Sequence, residues 1–578
     1  MNAIWIFLVS SIGYLVAYHT YGRFLAQKIF KIDPNAQVPS KELADGNEFV
    51  SSERQVMFGH HFTSIAGTGP IVGPAIGIIW GWGPALVWVF LGAILMGAVH
   101  DFGVLMLSVR HQGASIAQVA GEWATPRVRS LFFMVIFLAL LIVMAIFGLV
   151  IAIIFKQFPQ SVWAVWGEIP IAILFGTWIL KQKRVSLGVG TLLGVGALYV
   201  LVALGAMVPF EMPSIAGIPA TGVWTIILLA YAYIASVLPV GTLLQPRDFL
   251  NAWQLYVALG AIIIGMIVTA FGPGLPMVAP VLALSPAGAP PLWPFLFITV
   301  ACGAISGFHS LVCSGTSSKQ IASEADVQYI GYGSMVTEGL LAVVVLIAVG
   351  AGIGLSYTSA DGQILQGTAA WYAHYGSWSA SAGLGSKLTA VVIGFANMMA
   401  SIGISEKMGV AIVGVFIASF AGTTLDSATR VQRYMISEYF ATTGIKWGQN
   451  KWVATGIAVI TALLLAFSSG PNGAGALLLW PMFGAINQLL AALALLVLTL
   501  YLQSKGGRAY WVTGLPCLLL TVLTVWACTL NQVTFWQSQS VLLILINGII
   551  LALSLLMILE MASIFRKRAK LAHEQVRQ

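Results

Sequence analysis

Four ionisable side chains stand inside long apolar stretches of the sequence. His60 and His61 precede a run rich in glycine and proline, Asp101 lies in the next run, and Glu338 lies in a later one. A charge at the centre of a bilayer costs roughly 2.5 to 3.5 kcal/mol, so ionisable residues in such runs usually face a partner or a watery path. His60, His61 and Asp101 are therefore candidates for carrying protons or contacting a small molecule, and Glu338 is expected to face a partner or a watery path.

The histidine pair favours proton chemistry over a metal site. Adjacent residues on a helix point about 100° apart, so His60 and His61 are poor joint ligands for one ion. The unperturbed pKa of histidine lies near physiological pH, which suits a proton relay or a substrate contact. A packing or capping role at the helix end is the alternative.

Further charged residues predict ion pairs. Asp101 is the leading candidate for proton coupling or for pairing a buried cation, and the alternative is an interfacial carboxylate that pairs with Arg110. Arg247 and Asp248, in the segment QPRDFLN, are predicted to form a gate salt bridge, with an ordinary helix-end pair as the alternative. Three residues at helical spacing predict a local ion pair: Asp426, Arg430 and Arg433.

The composition identifies the elements that must position these residues as membrane-spanning helices. Of the 578 residues 59% are hydrophobic and only 8% are charged, the mean hydropathy is +0.92, and soluble domains carry about 25% charged residues. The basic residues form no nucleic-acid footprint. The first apolar run lacks a basic leader and a cleavage pattern, so we expect a retained span. The four cysteines show no metal-ligand spacing and are interpreted as packing residues.

The pattern of apolar runs and basic loops predicts the topology. Sixteen apolar runs approach the roughly 20 residues needed to cross a bilayer, for about 15 to 17 crossings. Basic residues concentrate in alternate loops and in the tail after Ile564, which predicts an outside amino terminus and a cytoplasmic carboxyl terminus. The two halves agree only if residues 386–429 make an odd net number of crossings. A re-entrant or half-length element near Glu406 and Lys407 is therefore expected, or else a concealed third crossing.

Two stretches are too interrupted to form continuous helices. Residues 57–80 contain five glycines with Pro70 and Pro74, and residues 223–251 contain two prolines around Gly241. Irregular backbone survives in a membrane only against protein or around a watery cavity. The second stretch lies five runs after the first, so a repeated unit would be inverted, as in many secondary transporters. The alternatives are close helix packing at the glycines and a coincidental pair of breaks.

Secondary transporters bind substrate where such helices unwind. The predicted substrate-binding residues therefore lie at the two breaks: Ala66, Gly67, Thr68 and Gly69, with Leu238, Val240, Gly241 and Thr242. The positive end of a half-helix dipole there favours a carboxylate. No ATP-binding GxxxxGK[ST], HExxH or GxSxG pattern occurs, so neither a primary pump nor an enzyme is predicted. A channel, a haem protein and a membrane sensor of carbon status are the other classes considered.

Seven segments resemble the characteristic segments of the carbon starvation protein A (CstA) family. They are FGHHFTSIAGTGPIVGPAIG, GAVHDFGVLMLSVRHQGASI, QPRDFLN, SGTSSKQI, SEKMG, TTLDSATRVQRY and LWPMFGAINQLLA, spread in order over residues 58–491. The resemblance implies a bacterial inner-membrane transporter related to the amino acid, polyamine and organocation superfamily. Such proteins take up peptides or pyruvate when carbon is scarce.

That superfamily has two inverted five-helix repeats with unwound first and sixth helices. The resemblance implies that the run 295–318 is the eighth core helix, whose hydroxyls bind sodium in sodium-coupled relatives. The candidate ion-coupling hydroxyls there include Ser314, Thr316 and Ser317.

The sequence thus predicts an all-α polytopic transporter with inverted five-helix repeats and extra flanking helices. We expect a first helix and loop over residues 1–56, a core over 57–429, and terminal helices with a basic tail over 430–578. The expected function is ion-coupled uptake of peptides by alternating access, with pyruvate symport as the alternative. A proton is slightly favoured over sodium as the co-transported ion, no other cofactor is expected, and the lipid bilayer is the expected surrounding.

Overall fold

The computed structural model describes residues 1–123, 126–359, 361–379 and 383–577. Within these ranges the side chains of 126, 127, 481, 557, 561, 562 and 564–577 are not described. The basic tail that the sequence predicts to face the cytoplasm, Arg566 to Arg577, and the loop residue Arg127 therefore lie outside the described side chains.

The protein is helical, as predicted. The helices of the first half are α1 Ala3–Ala17, α2 Pro39–Glu42, α3 Arg54–Ala66, α4 Gly69–Gly77, α5 Trp82–Gly92, α6 Ala98–Arg110, α7 Ile116–Trp123, α8 Pro126–Gln157, α9 Val162–Phe175, α10 Leu187–Met207 and α11 Ala220–Val237. Those of the second half are α12 Leu244–Phe271, α13 Leu292–Thr299, α14 Gly307–Gly315, α15 Gly333–Gly350, α16 Gly367–Tyr375, α17 Leu384–Ala400, α18 Glu406–Thr442, α19 Lys451–Ala466, α20 Trp480–Ser504, α21 Trp511–Gln537 and α22 Val541–Arg577. Between α15 and α16 two short strands, β1 Tyr357–Thr358 and β2 Ile364–Leu365, pair with each other in the antiparallel direction.

Within the described ranges, twelve helical segments are long and apolar enough to cross a membrane, and a bent pair makes thirteen. The other three apolar runs are the interrupted pair α13–α14, the short helix α17 and the 16-residue helix α19. Because α13–α14 and α19 also run between the two ends of the bundle, fifteen segments traverse it.

The first predicted break is confirmed. Helices α3 and α4 belong to one stretch that bends by 41°. Gly67 ends α3 with φ +47°, a conformation that residues with a side chain rarely adopt. Pro70 lies in the first turn of α4, where its missing N–H would have no partner in the helix.

The second break lies elsewhere than predicted. Helices α11 and α12 are each long enough to span, so Pro239 and Gly241 mark a connection of residues 238–243, and Pro246 lies in the first turn of α12. The second interrupted helix is α13–α14, which is broken over residues 300–306, with Gly303 at φ +87°. Glycine and proline are used both in a turn between two spans and in a break within one span, so their presence did not distinguish the two.

The packing pairs the helices as two inverted sets of five. The first set is α3–α4, α5–α6, α8, α11 and α12, and the second is α13–α14, α15, α18, α19 and α20. Helix α8 packs along α18, α12 against α3, and α20 against α14. The two interrupted helices are antiparallel, because Trp80 after α4 bonds to the carbonyl of Pro290 before α13. Helices α9 and α10 form a hairpin outside both sets.

The half-length element expected near residues 386–406 is α17. Near its start Thr389 bonds to Gln157, which ends α8, and near its end Asn397 donates to the carbonyl oxygens of Gly352 and Ser356 after α15. Both parts of α17 therefore lie at one end of the bundle. Helix α18 alone then crosses, which gives this region the odd net number of crossings and puts Lys407 at the end opposite Arg430.

Ion pairs gather the loops at the other end, which we call the basic end. Glu48, in the loop between α2 and α3, pairs with Arg430 at 3.3 Å and with Arg433 at 2.8 Å. Arg110 at the end of α6 pairs with Glu324 at 2.5 Å. The predicted local pair of Arg430 and Arg433 with Asp426 is therefore wrong: the two arginines reach the loop instead. These contacts hold the basic end closed.

The charge of Glu48 has a predictable effect on stability. Burial alone would raise its pKa, but Arg430, Arg433 and Lys319 hold the pKa of Glu48 below its ordinary value. The folded pKa is thus lower than the unfolded one, so the ionised side chain stabilises the fold above the unfolded pKa. This contribution is lost as the pH falls through the folded pKa.

We expect Glu48→Gln to lower the free energy of unfolding by about 1 to 3 kcal/mol at neutral pH. Thermal unfolding of the detergent-solubilised protein measures it, and the gap to the unchanged protein should shrink below about pH 4. Glu53→Gln, at an exposed carboxylate five residues later in the chain, is the control. Equal destabilisation by both substitutions, or a gap that does not vary with pH, would contradict the role assigned to Glu48.

Candidate functional site

The breaks of the two interrupted helices lie against each other inside the bundle. Gly69, at the start of α4, contacts the side chain of Cys302, and Gly73 contacts the carbonyl oxygen of Thr299. A β-carbon at either glycine would collide with these atoms or crowd them, so glycine permits the close approach. The unwound residues 300–306 therefore adjoin the first break directly.

The second half of the predicted substrate site is displaced. It comprised four residues of the α11–α12 connection: Leu238, Val240, Gly241 and Thr242. The Val240 amide donates to the carbonyl of Asn47 at the basic end. The Leu238 carbonyl accepts from Arg430 on α18. The first break contacts Thr424, which lies about 9 Å from Arg430 along the axis of α18. These residues therefore do not meet the first break.

A buried ionic network joins α12 to the first interrupted helix. His60 Nδ1 lies 2.6 Å from Asp248 Oδ2, and neither side chain has exposed surface. The hydroxyl of Ser64 donates to the same carboxylate oxygen at 3.3 Å. His60 Nε2 lies 3.2 Å from the hydroxyl of Thr316, which follows α14. The pair of His60 and Asp248 therefore contacts both interrupted helices.

Arg247 is the only fixed cation of this network among the described residues. Its guanidinium lies 2.5 Å from Asp426, 3.3 Å from Glu168 and 3.7 Å from Asp248. The predicted gate pair of Arg247 and Asp248 is thus the longest of three contacts, and both residues belong to a larger set. We call that set the α12 network: His60, Glu168, Arg247, Asp248 and Asp426.

Glu168 is a site residue that the sequence analysis missed. It lies on α9, in the hairpin outside the two repeats, and only 2% of its side chain is exposed. Its carboxylate accepts from the Asn251 amide at 2.9 Å and from the Ser419 hydroxyl at 2.8 Å. A cavity of about 20 Å³ adjoins Glu168 and Arg247, which is room for a water molecule. Like Asp101, Glu168 is a lone carboxylate in an apolar run, and this signal is visible in the sequence.

A second polar cluster lies on the other side of the breaks. Asp101 Oδ1 is 2.7 Å from His100 Nδ1, and Asp101 Oδ2 is 2.8 Å from His309 Nδ1. Glu338 accepts the amide of Gly303 at 2.9 Å, which satisfies a backbone donor freed by the break. We call these residues with Cys302 the break cluster.

Asp101 is not an interfacial carboxylate. Arg110, its considered partner, pairs with Glu324 at the basic end. Asp101 has no exposed surface, and both of its carboxylate oxygens face histidines. Its predicted role in proton coupling stays a prediction.

Ser314 lies on α14, and Thr316 and Ser317 follow it. The interrupted helix α13–α14 is the sixth of the core, so its assignment as the eighth is wrong. Two of the hydroxyls nevertheless face the first interrupted helix, because Thr316 contacts His60 and the Ser317 hydroxyl lies 2.7 Å from His61 Nδ1. Ser314 instead accepts the first amide of α7. The two adjacent histidines thus have separate partners, as their angular separation predicted.

The eighth core helix is α18, and it reaches the first break through other hydroxyls. Ser427 lies 3.2 Å from Ser64 of α3. The first break itself keeps two backbone amides, those of Thr68 and Gly69, for which no acceptor appears among the described residues. Because Pro70 has no N–H, these two are the donors at the positive end of α4, where an anion is favoured.

The family model of the carbon starvation protein CstA matches residues 2–527. The chain belongs to the CstA family. It is 31% identical to the pyruvate/proton symporter BtsT of Escherichia coli over 92% of this chain and 82% of that protein. It is 32% identical to the peptide transporter CstA of Mycobacterium tuberculosis over 93% of this chain and 75% of that protein. It is 30% identical to the peptide transporter CstA of Bacillus subtilis over 94% of this chain and 92% of that protein.

A solved structure supports the fold of this CstA-family protein. The manganese transporter of Eremococcus coleocola, crystallised as a histidine-to-alanine mutant, superposes with a TM-score of 0.51 over 90% of this chain and 98% of that chain. The sequence identity is 10%, so this similarity concerns the fold alone. The protein is accordingly a multi-pass membrane protein of a transporter family, with the predicted type of fold.

The location of the second break in this CstA-family protein can be tested with two glycines. Gly303→Ala should strain a backbone at φ +87° and bring a β-carbon against Ala342, costing about 1 to 3 kcal/mol. Gly241→Ala meets no atom within 4 Å and should be tolerated. The yield of monodisperse protein and its thermal stability measure both. A sensitive Gly241 with a tolerant Gly303 would restore the sequence-based location.

Proposed function

We propose that this protein is a proton-coupled secondary transporter that imports a small carboxylate, with pyruvate as the leading substrate. The observation that carries the proposal is the pair of His60 and Asp248, which lies buried where α12 meets both interrupted helices. A proton bound there changes the charge at the point where the moving parts of such a fold would meet.

The charges of the α12 network support proton coupling. Three carboxylates, Glu168, Asp248 and Asp426, surround one guanidinium, that of Arg247, and all four side chains are at most 5% exposed. An unbalanced buried charge is costly in an apolar environment. The three carboxylates and Arg247 leave a net charge of −2. A proton on His60 and a proton on one carboxylate would together cancel it, so protons balance the network.

The same arrangement disfavours sodium as the coupling ion. Arg247 donates to Thr423 at 3.0 Å and to Asp426, both on α18. Its guanidinium thus fills the polar space between α12 and the eighth core helix with a permanent positive charge. A sodium ion placed there would meet that charge, whereas a proton on Asp248 would not need the space.

The first break supports a carboxylate as cargo. The amides of Thr68 and Gly69 face no acceptor in the described structure, and they stand at the positive end of α4. Transporters with discontinuous helices hold anionic groups at such ends. Pyruvate carries one carboxylate, and a relative with 31% identity is named a pyruvate/proton symporter.

Peptides are the second candidate substrate, because several relatives at 30 to 32% identity are named peptide transporters. A peptide also ends in a carboxylate, so the first break suits both substrates. The close packing of Gly69 on Cys302 leaves little space beside this carboxylate position, which favours the smaller one.

The proposal includes alternating access and a membrane orientation, and the two ends of the bundle support both. We place the basic end in the cytoplasm, because basic residues concentrate on the inner side of membrane proteins. The amino terminus is then outside a bacterial inner membrane. Release of substrate to the cytoplasm would require the ion pairs of Glu48 with Arg430 and Arg433 to separate.

Proteoliposomes test the substrate and the driving ion. An imposed inward proton gradient should drive saturable uptake of labelled pyruvate, and an uncoupler should abolish it. A sodium gradient at constant pH should not drive uptake. Uptake of a labelled dipeptide instead of pyruvate would select the second substrate, and uptake driven only by sodium would overturn proton coupling.

The coupling residue is tested by Asp248→Asn. The variant should lose at least tenfold in gradient-driven pyruvate accumulation while retaining exchange of labelled for unlabelled pyruvate, because exchange needs no net proton movement. Asp361→Asn, in an exposed loop at the opposite end, is the matched control. His60→Gln, checked by size-exclusion chromatography, gives a second variant. Full accumulation in both folded variants would remove the α12 network from coupling.

A further inference from the structure

Three side chains of the break cluster converge on one point. Cys302 lies in the unwound segment, His309 lies on α14, and Glu338 lies on α15. A sulfur, an imidazole nitrogen and a carboxylate oxygen from them all lie within 4.8 Å of one another. His309 and Glu338 have no exposed surface. Of the four cysteines, only Cys302 is not fully buried.

The facing atoms of His309 and Glu338 are placed as two ligands would be. His309 Nε2 lies 3.3 Å from Glu338 Oε2. Among the described residues no well-aligned hydrogen bond joins these two atoms to each other. With bonds of about 2.0 to 2.2 Å to a zinc ion, the edge of the tetrahedron between a nitrogen and an oxygen is about 3.4 Å. The observed separation fits that edge.

The surroundings orient all three side chains for binding. Asp101 holds His309 through Nδ1 at 2.8 Å, which leaves Nε2 free as the ligand atom. The amide of Gly303 holds the second oxygen of Glu338, and the Asn487 side chain donates to the sulfur of Cys302 at 3.9 Å. Carboxylate-to-histidine contacts of this kind are the usual outer support of zinc ligands.

We infer that the break cluster is a binding site for a divalent transition metal ion, with zinc as the best match. One sulfur, one nitrogen and one oxygen suit zinc better than calcium or magnesium, which take oxygen ligands. Three protein ligands leave a fourth position open. This site is distinct from the α12 network and goes beyond the proposed transport function.

A bound ion would fix the second interrupted helix. Cys302 and His309 belong to the break and to the half-helix after it, while Glu338 belongs to the neighbouring helix α15. An ion bonded to all three ties the break to α15 and removes its freedom to move.

Metal binding by the full-length purified protein tests the inference directly. The protein is prepared with an affinity tag that contains no histidine, loaded with zinc chloride, freed of excess metal and analysed by mass spectrometry of the elements. We expect one zinc per chain and at least a tenfold weaker affinity in Cys302→Ser. Cys313→Ser changes a fully buried cysteine on α14 outside the three ligands and should keep the zinc.

Cobalt supplies a readout that a purely structural role of Cys302 would not change. Cobalt bound to the unchanged protein should show the near-ultraviolet band of a thiolate ligand, and Cys302→Ser should lose that band. Absence of zinc from the unchanged protein, or equal loss in both serine variants, would overturn the site. Since none of these measurements uses transport, they stand apart from a failure of the proposed function.

Discussion

A backbone that leaves the helix inside an apolar bundle must find new hydrogen-bond partners, and the centre of this protein is arranged around that requirement. Glu338 accepts the amide of Gly303, and Asn487 accepts the amide of Phe308 at the start of α14. The second break is thereby satisfied by side chains of α15 and α20. The first break is satisfied less completely, because the amides of Thr68 and Gly69 have no acceptor among the residues that the structure describes. The two breaks thus differ in what they offer a solute, although they belong to equivalent helices of the two repeats.

The buried charges separate into two groups on either side of these breaks. The α12 network contains a permanent cation, and its carboxylates outnumber that cation three to one. The break cluster has histidines as its only basic groups among the described residues, and its carboxylates bond to imidazoles and to backbone. His60 and His61 stand side by side in the chain, yet His60 bonds to Asp248 of the α12 network and His61 bonds to Ser317 after α14.

The sequence was informative about class and less informative about pairing. Composition and apolar runs predicted a polytopic helical protein, and glycine with proline located the first break, because both depend on local chemistry. Pro239, Gly241 and Pro246 carried the same local signal, yet they end two full spans; only the lengths of α11 and α12 in three dimensions decide between a turn and a break. Asp426 stands at helical spacing from Arg430 and Arg433, but its partner in the structure is Arg247, which lies 179 residues away in the chain. Contacts over such distances depend on the packing of helices and leave no local pattern.

The hairpin of α9 and α10 gives the fold an unexpected dependence. It lies outside both five-helix sets, and a comparison of architectures alone would treat it as a peripheral addition. Its Glu168 nevertheless bonds to Asn251 of α12 and to Ser419 of α18, and it lies 3.3 Å from Arg247. Removing the hairpin would leave a guanidinium and an amide facing lipid tails. The ten-helix core is therefore not a minimal protein that could be excised or transplanted, and any shortened descendant of this chain must retain the hairpin or replace Arg247 as well.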